Sequence, residues 1–191
     1  MSQWAQRSHA KLEIDKSKRI ALMKELKQLH AERITAGIHK AEGRKAVSAS
    51  GFKMIDVAVQ NEYGNTFTMP RTVRFKKNGQ WFVIKQGTTI KIPETRFVSR
   101  LVQHPSELEF LKTMVRAELH LVVKGYQTAT AAVRNIGQFM RDRIRSYITN
   151  KEFEPNAPMT VAAKGFDQRL FEKGQLLHSI KYKTKRTKQN G

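Results

Sequence analysis

Thr72-Val-Arg-Phe-Lys-Lys-Asn-Gly-Gln-Trp-Phe-Val-Ile-Lys85 is the stretch on which the fold turns. Asn78-Gly79 is a type I′ turn dipeptide set between two β-forming runs. A two-residue loop there places Lys77 opposite Gln80, Phe75 opposite Phe82 and Val73 opposite Ile84. Successive strand side chains point to opposite faces, so those four apolar residues share one face. Arg74, Lys76, Trp81 and Val83 share the other. The first is a core face; the second is basic with one aromatic. Gln86-Gly87 permits a further turn into Thr88–Ile92. Between Gly64 and His104 the only acidic residue is Glu94, so this β region carries one sign of charge.

Upstream, Arg33-Ile-Thr-Ala-Gly-Ile-His-Lys40 alternates, contains β-branched residues and reads as a strand. Residues 41–51 are a small-residue loop. Met54–Val59 suits a short helix or a strand, stopped by Asn61-Glu-Tyr-Gly-Asn65. Within residues 11–34, Ile20, Met23, Leu26 and Leu29 recur at helical spacing, as in an amphipathic helix with a solvated basic face.

Downstream, Pro105-Ser-Glu-Leu-Glu109 opens a helix with Ser106 and Glu109 as a capping box. Leu108, Leu111, Val115, Leu119 and Val122 follow at helical spacing, and Gly125 ends it. A second helix spans about 127–149, with Ala129, Val133, Ile136, Met140, Ile144 and Tyr147 as its apolar stripe. Arg134, Arg141 and Arg145 fall in a narrow wedge on another face. They read either as a solvated face or as a stripe that meets phosphates or acidic side chains. The two prolines of Glu154–Gly165 exclude a long helix or central strand, which leaves a structured arm. Gly174–Lys183 reads as a helical turn followed by a strand through Ile180 and Tyr182, able to pair with the strand near 33–40. The expected fold is therefore α+β: a small, mostly antiparallel sheet packed against two long helices, with an N-terminal helix and an extended C-terminal arm. Residues 1–31 form a basic helical arm, 32–183 the α+β domain and 184–191 a basic tail.

At 191 residues the chain is sized for one domain with an arm. Its formal charge of +20 favours a polyanionic neighbour: nucleic acid, an acidic protein surface or a membrane face. Cysteine is absent, which excludes disulfides, thiolate catalysis and Cys-ligated zinc. The four aspartates (Asp15, Asp56, Asp142, Asp167) are scattered. No histidine pair has metal-ligand spacing with a carboxylate companion, and no H-E-x-x-H, G-x-S-x-G or phosphate-cradling glycine motif occurs. An enzyme, a cofactor and a metal site are not expected. No zinc finger, basic zipper or helix-turn-helix is visible either, so DNA contact would be non-specific. Apolar runs are too short for a signal peptide or a membrane span.

Three stretches, taken in order, resemble the tail-completion or head–tail joining (neck) proteins of long-tailed bacteriophages. The first is Val57-Ala-Val-Gln-Asn-Glu-Tyr-Gly-Asn65, similar to an Asn-Glu-aromatic-Gly pattern. The second is Ile92-Pro-Glu-Thr-Arg-Phe97. The third is Phe153-Glu-Pro-Asn-Ala-Pro-Met-Thr160 with Lys164-Gly165 and Gly174-Gln-Leu-Leu-His-Ser-Ile180. The likeness covers roughly residues 32–183. It departs from the pattern at Thr95-Arg96, in the run Gln168–Lys173 and in an enlarged hairpin.

The resemblance implies a virion structural protein, made in the host cytoplasm and located at the neck. Such a protein forms a ring, commonly of six, at the head-proximal end of the tail. It completes the tail, joins the connector or stopper and tail-tube or terminator proteins, and leaves a passage for DNA. The residues expected at the subunit or ring interface are Asn61, Glu62, Tyr63, Gly64, Pro93, Phe97, Pro155, Asn156, Pro158, Thr160, Lys164, Gly165, Gly174, Gln175 and Ser179. Six copies at +20 each would carry +120, which demands counter-charge from DNA or acidic neighbours. Arg134, Arg141, Arg145, Lys76 and Lys77 are expected to face the channel or such a neighbour. The competing expectation is a stand-alone, non-specific nucleic-acid-binding protein.

Overall fold

A computed structural model of the chain describes residues 16–47, 52–77, 79–150, 152–170 and 173–187. We number its elements in chain order: α1 (Lys16–Ala31), β1 (Glu32–Ile38), α2 (Lys40–Gly43), α3 (Met54–Tyr63), β2 (Asn65–Thr68), β3 (Val73–Lys77), β4 (Gln80–Ile84), β5 (Thr89–Ile92), α4 (Arg100–Gln103), α5 (Pro105–Val123), α6 (Ala129–Thr149), α7 (Pro158–Lys164), α8 (Gln175–Ser179) and β6 (Ile180–Arg186). The α+β class is as expected.

The central element is α6. Its expected stripe is buried at Ala129, Val133, Ile136, Ile144 and Tyr147, joined by Ala132, Gly137 and Ile148. The Thr128 side chain accepts a hydrogen bond from the Ala131 amide at 3.2 Å, satisfying one of the open donors at the helix start. Helix α5 packs beside α6, but its start differs from the expected capping box. His104 occupies the cap position and Pro105 the first turn, where a missing N–H costs nothing. Ser106 instead lies 2.9 Å from His104 Nδ1, and Glu109 pairs with Lys112 at 2.7 Å.

The first and last strands do pair. β1 and β6 run antiparallel, with Glu32 opposite Arg186 and Ile38 opposite Ile180, and both lie across α6. The core beneath them holds Met54, Ala58, Phe97, Leu101, Ile144, Ile148, Leu176 and Ile180. It draws on four helices, a strand and the loop before α4.

The other four strands form one long ribbon. β2 pairs with β5 and β3 with β4, both antiparallel, and Asn65↔Ile92 and Val73↔Ile84 belong to a single unbroken register. The gap at Pro70, which has no N–H to donate, is bridged from Met69 N to Thr88 O at 2.9 Å and from Gly87 N to Met69 O at 3.0 Å. Along the hairpin the two faces separate as the alternation predicts. Val73, Phe75 and Ile84 are half-buried and Phe82 is buried, whereas Arg74, Lys76, Trp81 and Val83 are exposed. Phe75 and Phe82 stack with centroids 5.4 Å apart. Asn78 itself lies outside the described residues.

Helix α1 corrects one expectation. A step of three residues drifts by about 60° round a helix, so Ile20, Met23, Leu26 and Leu29 do not form one face. Leu26 and Leu29 are half-buried, while Ile20 is 69% exposed and Met23 48%. Helix α1 is fixed on α6 by Glu25, whose carboxylate accepts from the Ala129 amide at 2.5 Å, and by Gln28, which donates to Thr130 Oγ1 at 2.7 Å. A carboxylate at the positive end of a helix is favourably placed.

Candidate functional site

Helix α3 ends in Asn61-Glu62-Tyr63-Gly64, and this ending grips the loop that carries Ile92–Phe97. The Asn61 carbonyl accepts both the Thr95 amide and the Thr95 hydroxyl at 2.8 Å. The Asn61 side chain donates to Val57 O at 2.8 Å. Glu62 is buried, and its two carboxylate oxygens accept the Val98 and Ser99 amides, each at 2.9 Å. Gly64 has φ +73° and ψ 167°, a conformation open essentially to glycine alone. A Cβ there would also stand 3.0 Å from Glu94 N and Ile92 O. Phe97, fully buried, pins the loop to the core.

The third stretch folds back on its own subunit. Asn156 donates through its backbone and side-chain nitrogens to Asp167 Oδ1, at 2.8 and 3.0 Å. Pro158 starts α7, Thr160 N bonds Ala157 O at 2.8 Å, and Gly165 closes the helix. Lys164 donates to Gln168 O at 3.2 Å. Gln168 reaches Ile148 O at 3.0 Å, and Arg169 donates to Pro93 O. Burial holds the Arg169 guanidinium below its usual pKa, against the opposing pull of Glu154. Ser179 Oγ donates to Gln175 O at 2.7 Å, which anchors the approach to β6.

These contacts bring the three stretches together around one cleft of about 760 Å³. Asn61, Pro93, Pro155, Asn156, Thr160, Lys164 and Gln175 all line it. Among the described residues its cations are Lys91, Lys164, Arg169 and Lys173, and none of the described carboxylates lines it. Lys91, Arg169 and Lys173 were not among the expected site residues. The only sequence signal at Arg169 was that it falls in the run that departs from the family pattern.

Four expected interface residues sit inside the subunit instead: Glu62, Phe97, Gly174 and Ser179 are buried. Their polar groups or ring are used to hold the chain's own backbone and core, so they correct the expectation of a surface role. Pro158 and Gly165 are exposed, and Gly64 is half-buried. Tyr63 is 72% exposed. It continues Ile55 and Val59 at spacings of four, so three exposed apolar side chains share one outward face of α3, while Phe52 precedes the helix and lines the cleft.

The arginine wedge is not uniformly open. Arg134 is exposed. Arg141 is clasped by Asp142, with Nε and Nη2 at 2.7 and 2.8 Å from the two carboxylate oxygens. That pairing lowers the Asp142 pKa and raises that of Arg141. Arg145 donates to Ile180 O at 2.9 Å. Arg145 thus joins α6 to β6, and Arg141 lies over the Tyr182 ring of β6 at 5.8 Å. At the hairpin tip Lys76 is exposed and Lys77 half-buried.

Arg143, outside that wedge, heads a network that the sequence did not announce. It holds Glu107 through Nε at 2.8 Å and Nη2 at 2.5 Å, and the Tyr147 hydroxyl donates to the same carboxylate at 2.8 Å. Arg100 lies over the Tyr147 ring at 4.8 Å and pairs with Glu152 at 2.9 Å. Hydrogen bonding from Arg143, aided by Tyr147, draws the Glu107 carboxyl below its usual value against the opposing effect of burial. Burial, then the bond to Glu107, pushes the Tyr147 hydroxyl up. This network ties α4, α5 and α6 together and is structural.

Among the described residues, no three His, Asp or Glu side chains cluster as metal ligands, and no helix is long and apolar enough to cross a membrane. The cleft is equipped to bind, through cations, amide side chains and apolar walls. No protein-family model, curated protein or solved structure matches the chain.

Proposed function

We propose that the chain is a virion structural protein of a long-tailed bacteriophage. It closes into a ring, six-fold in the family it resembles, at the head-proximal end of the tail and joins tail to head connector around a DNA passage. The observation that carries this reading is the convergence of the three family-like stretches on one cleft, although they are separated by up to a hundred residues of chain. Asn61, Asn156, Thr160 and Lys164 are half-buried around this cleft, where a neighbouring chain can still reach them.

Two further features support assembly. The outward stripe of Ile55, Val59 and Tyr63 is an apolar surface of the kind that marks protein contacts. The ribbon of residues 65–92 carries Arg71, Arg74, Lys76, Lys77, Lys85 and Lys91 and no acid. From Asn65 to Lys77, at about 3.3 Å per residue step, it spans at most roughly 40 Å, long enough to reach a neighbouring subunit or ring. Of the arginine wedge, Arg134 is the one placed to meet DNA or an acidic partner, together with Lys76 at the ribbon tip.

The stripe gives the test. Val59→Glu with Tyr63→Glu alters two exposed positions and should leave the circular dichroism of the subunit unchanged. Electron microscopy and sedimentation of the purified chain with tail extracts should show rings with the wild type and none with the variant. Rings that survive both charges would refute this interface. A second reading, non-specific nucleic-acid binding by the isolated chain, is favoured by the acid-free ribbon face of Arg74, Lys76 and Trp81. It requires DNA affinity of the monomer that falls steeply with salt and is lost on Lys76→Glu.

A further inference from the structure

A different surface carries an inference that does not depend on that reading. Helix α1 and the end of β6 border an open groove of about 1120 Å³. Its floor is apolar, led by Ile20 and Met23, which are 69% and 48% exposed. They lie on the side of α1 opposite the half-buried Leu22 and Leu29. Among the described residues its rim is Lys16, Arg19, Lys24, Lys27 and Arg186, and none of the described carboxylates lines it. Among the described residues, none of these five cationic side chains has an ion pair or hydrogen bond. Helix α1 is held to the start of α6 by Glu25 and by Gln28, which itself borders the groove.

We propose that this groove docks an acidic amphipathic helix of a partner protein. The long stems of Lys and Arg flank an apolar strip and place their charges outward. The complement is a helix with apolar residues at positions i, i+3 or i+4 and i+7, flanked by Glu or Asp. From Lys16 to Ala31 the groove runs about 22 Å, or four turns. A nucleic-acid backbone would satisfy the rim but leave Ile20 and Met23 against phosphates. A second copy would bring the same five cations to a two-fold contact, on chains that each carry +20.

The absence of cysteine makes the test clean. Lys16→Cys provides a single site for an environment-sensitive fluorophore on the full chain. The probe is a synthetic helix of about 16 residues with Leu at the a and d positions and Glu at the flanks, beside a scrambled peptide of equal composition. The ordered peptide should give a saturable, salt-weakened signal that the scrambled one does not. Met23→Asp and the pair Arg19→Glu with Lys27→Glu, all at exposed positions, should each weaken it by roughly tenfold or more without changing circular dichroism. Equal response to the scrambled peptide, or indifference to both variants, overturns the proposal. So does tighter binding of a DNA oligonucleotide or of anionic vesicles through the same residues. Shielding of the label from acrylamide in the peptide-free chain, or sedimentation as a dimer that Met23→Asp abolishes, overturns it as well.

Discussion

Glu107 carries more consequence than any other carboxylate in the fold, because Arg143 and Tyr147 both converge on it in a site where its side chain is only 8% exposed. Its folded pKa lies below the ordinary 4.5. A depressed carboxylate contributes stability that is present above the unfolded value and lost as pH falls through the folded one. Stability of the wild type should therefore decline below about pH 4.5 with a component due to this one residue. Glu107→Gln should remove that component and cost about 3 kcal/mol at neutral pH, the low end for a broken buried pair, since Arg143 keeps some contact with water. Urea unfolding at several pH values measures both. A variant whose stability still falls with acid as steeply as the wild type would show that Glu107 is not the group responsible. Little of this was legible beforehand: the sequence singled out Ser106 and Glu109 at this helix start and not Glu107, and only the packing of α5 on α6 reveals its two partners.

At the scale of elements, the fold depends on how closely β6 approaches α6. Gly137 is the reason it can. A Cβ at that position would come within 2.8 and 2.9 Å of Cε2 and Cγ of Tyr182, and nearer still to Cδ2. In an exposed helix Gly→Ala gains about 1 kcal/mol; here overpacking reverses the sign. Gly137→Ala should destabilise the chain by about 1–3 kcal/mol, and adding Tyr182→Ala should recover part of the loss relative to Tyr182→Ala alone. Thermal unfolding of the four proteins tests this, and stabilisation by Gly137→Ala would contradict it. Other element-level features were plain in the sequence. The Asn78-Gly79 dipeptide and strict alternation on both sides fixed the hairpin register, and the stripe from Ala129 to Tyr147 defined α6. Three short elements were unforeseen: α2, where Lys40–Gly43 turns into a helix at the start of the expected loop of 41–51, α4, and β2. Asn65–Thr68 has no alternating apolar pattern, and becomes a strand because the ribbon register continues past Pro70 to pair it with β5. The start of α5 was displaced for a local reason, the proline that takes the first helical turn.

For the whole molecule, the proposed assembly rests on charge and on exposed apolar surface. The +20 charge, the acid-free ribbon, the α3 stripe and the α1 groove all face outward. The residues singled out from the family-like stretches divided in two. Those with backbone-satisfying chemistry, such as Glu62 and Ser179, turned inward. Those on the arm and at the end of α3 gathered at the cleft. Sequence order alone could not separate the groups, because the division depends on which loop each residue meets across the core. The account rests on the outward group serving an assembly. Image reconstruction of bacteriophage particles assembled with a tagged copy of this chain, the setting the proposal assigns to it, tests that most directly. The prediction is a ring of several copies at the head–tail junction, with its axis along the DNA path. Finished, infectious particles that lack the chain would contradict it.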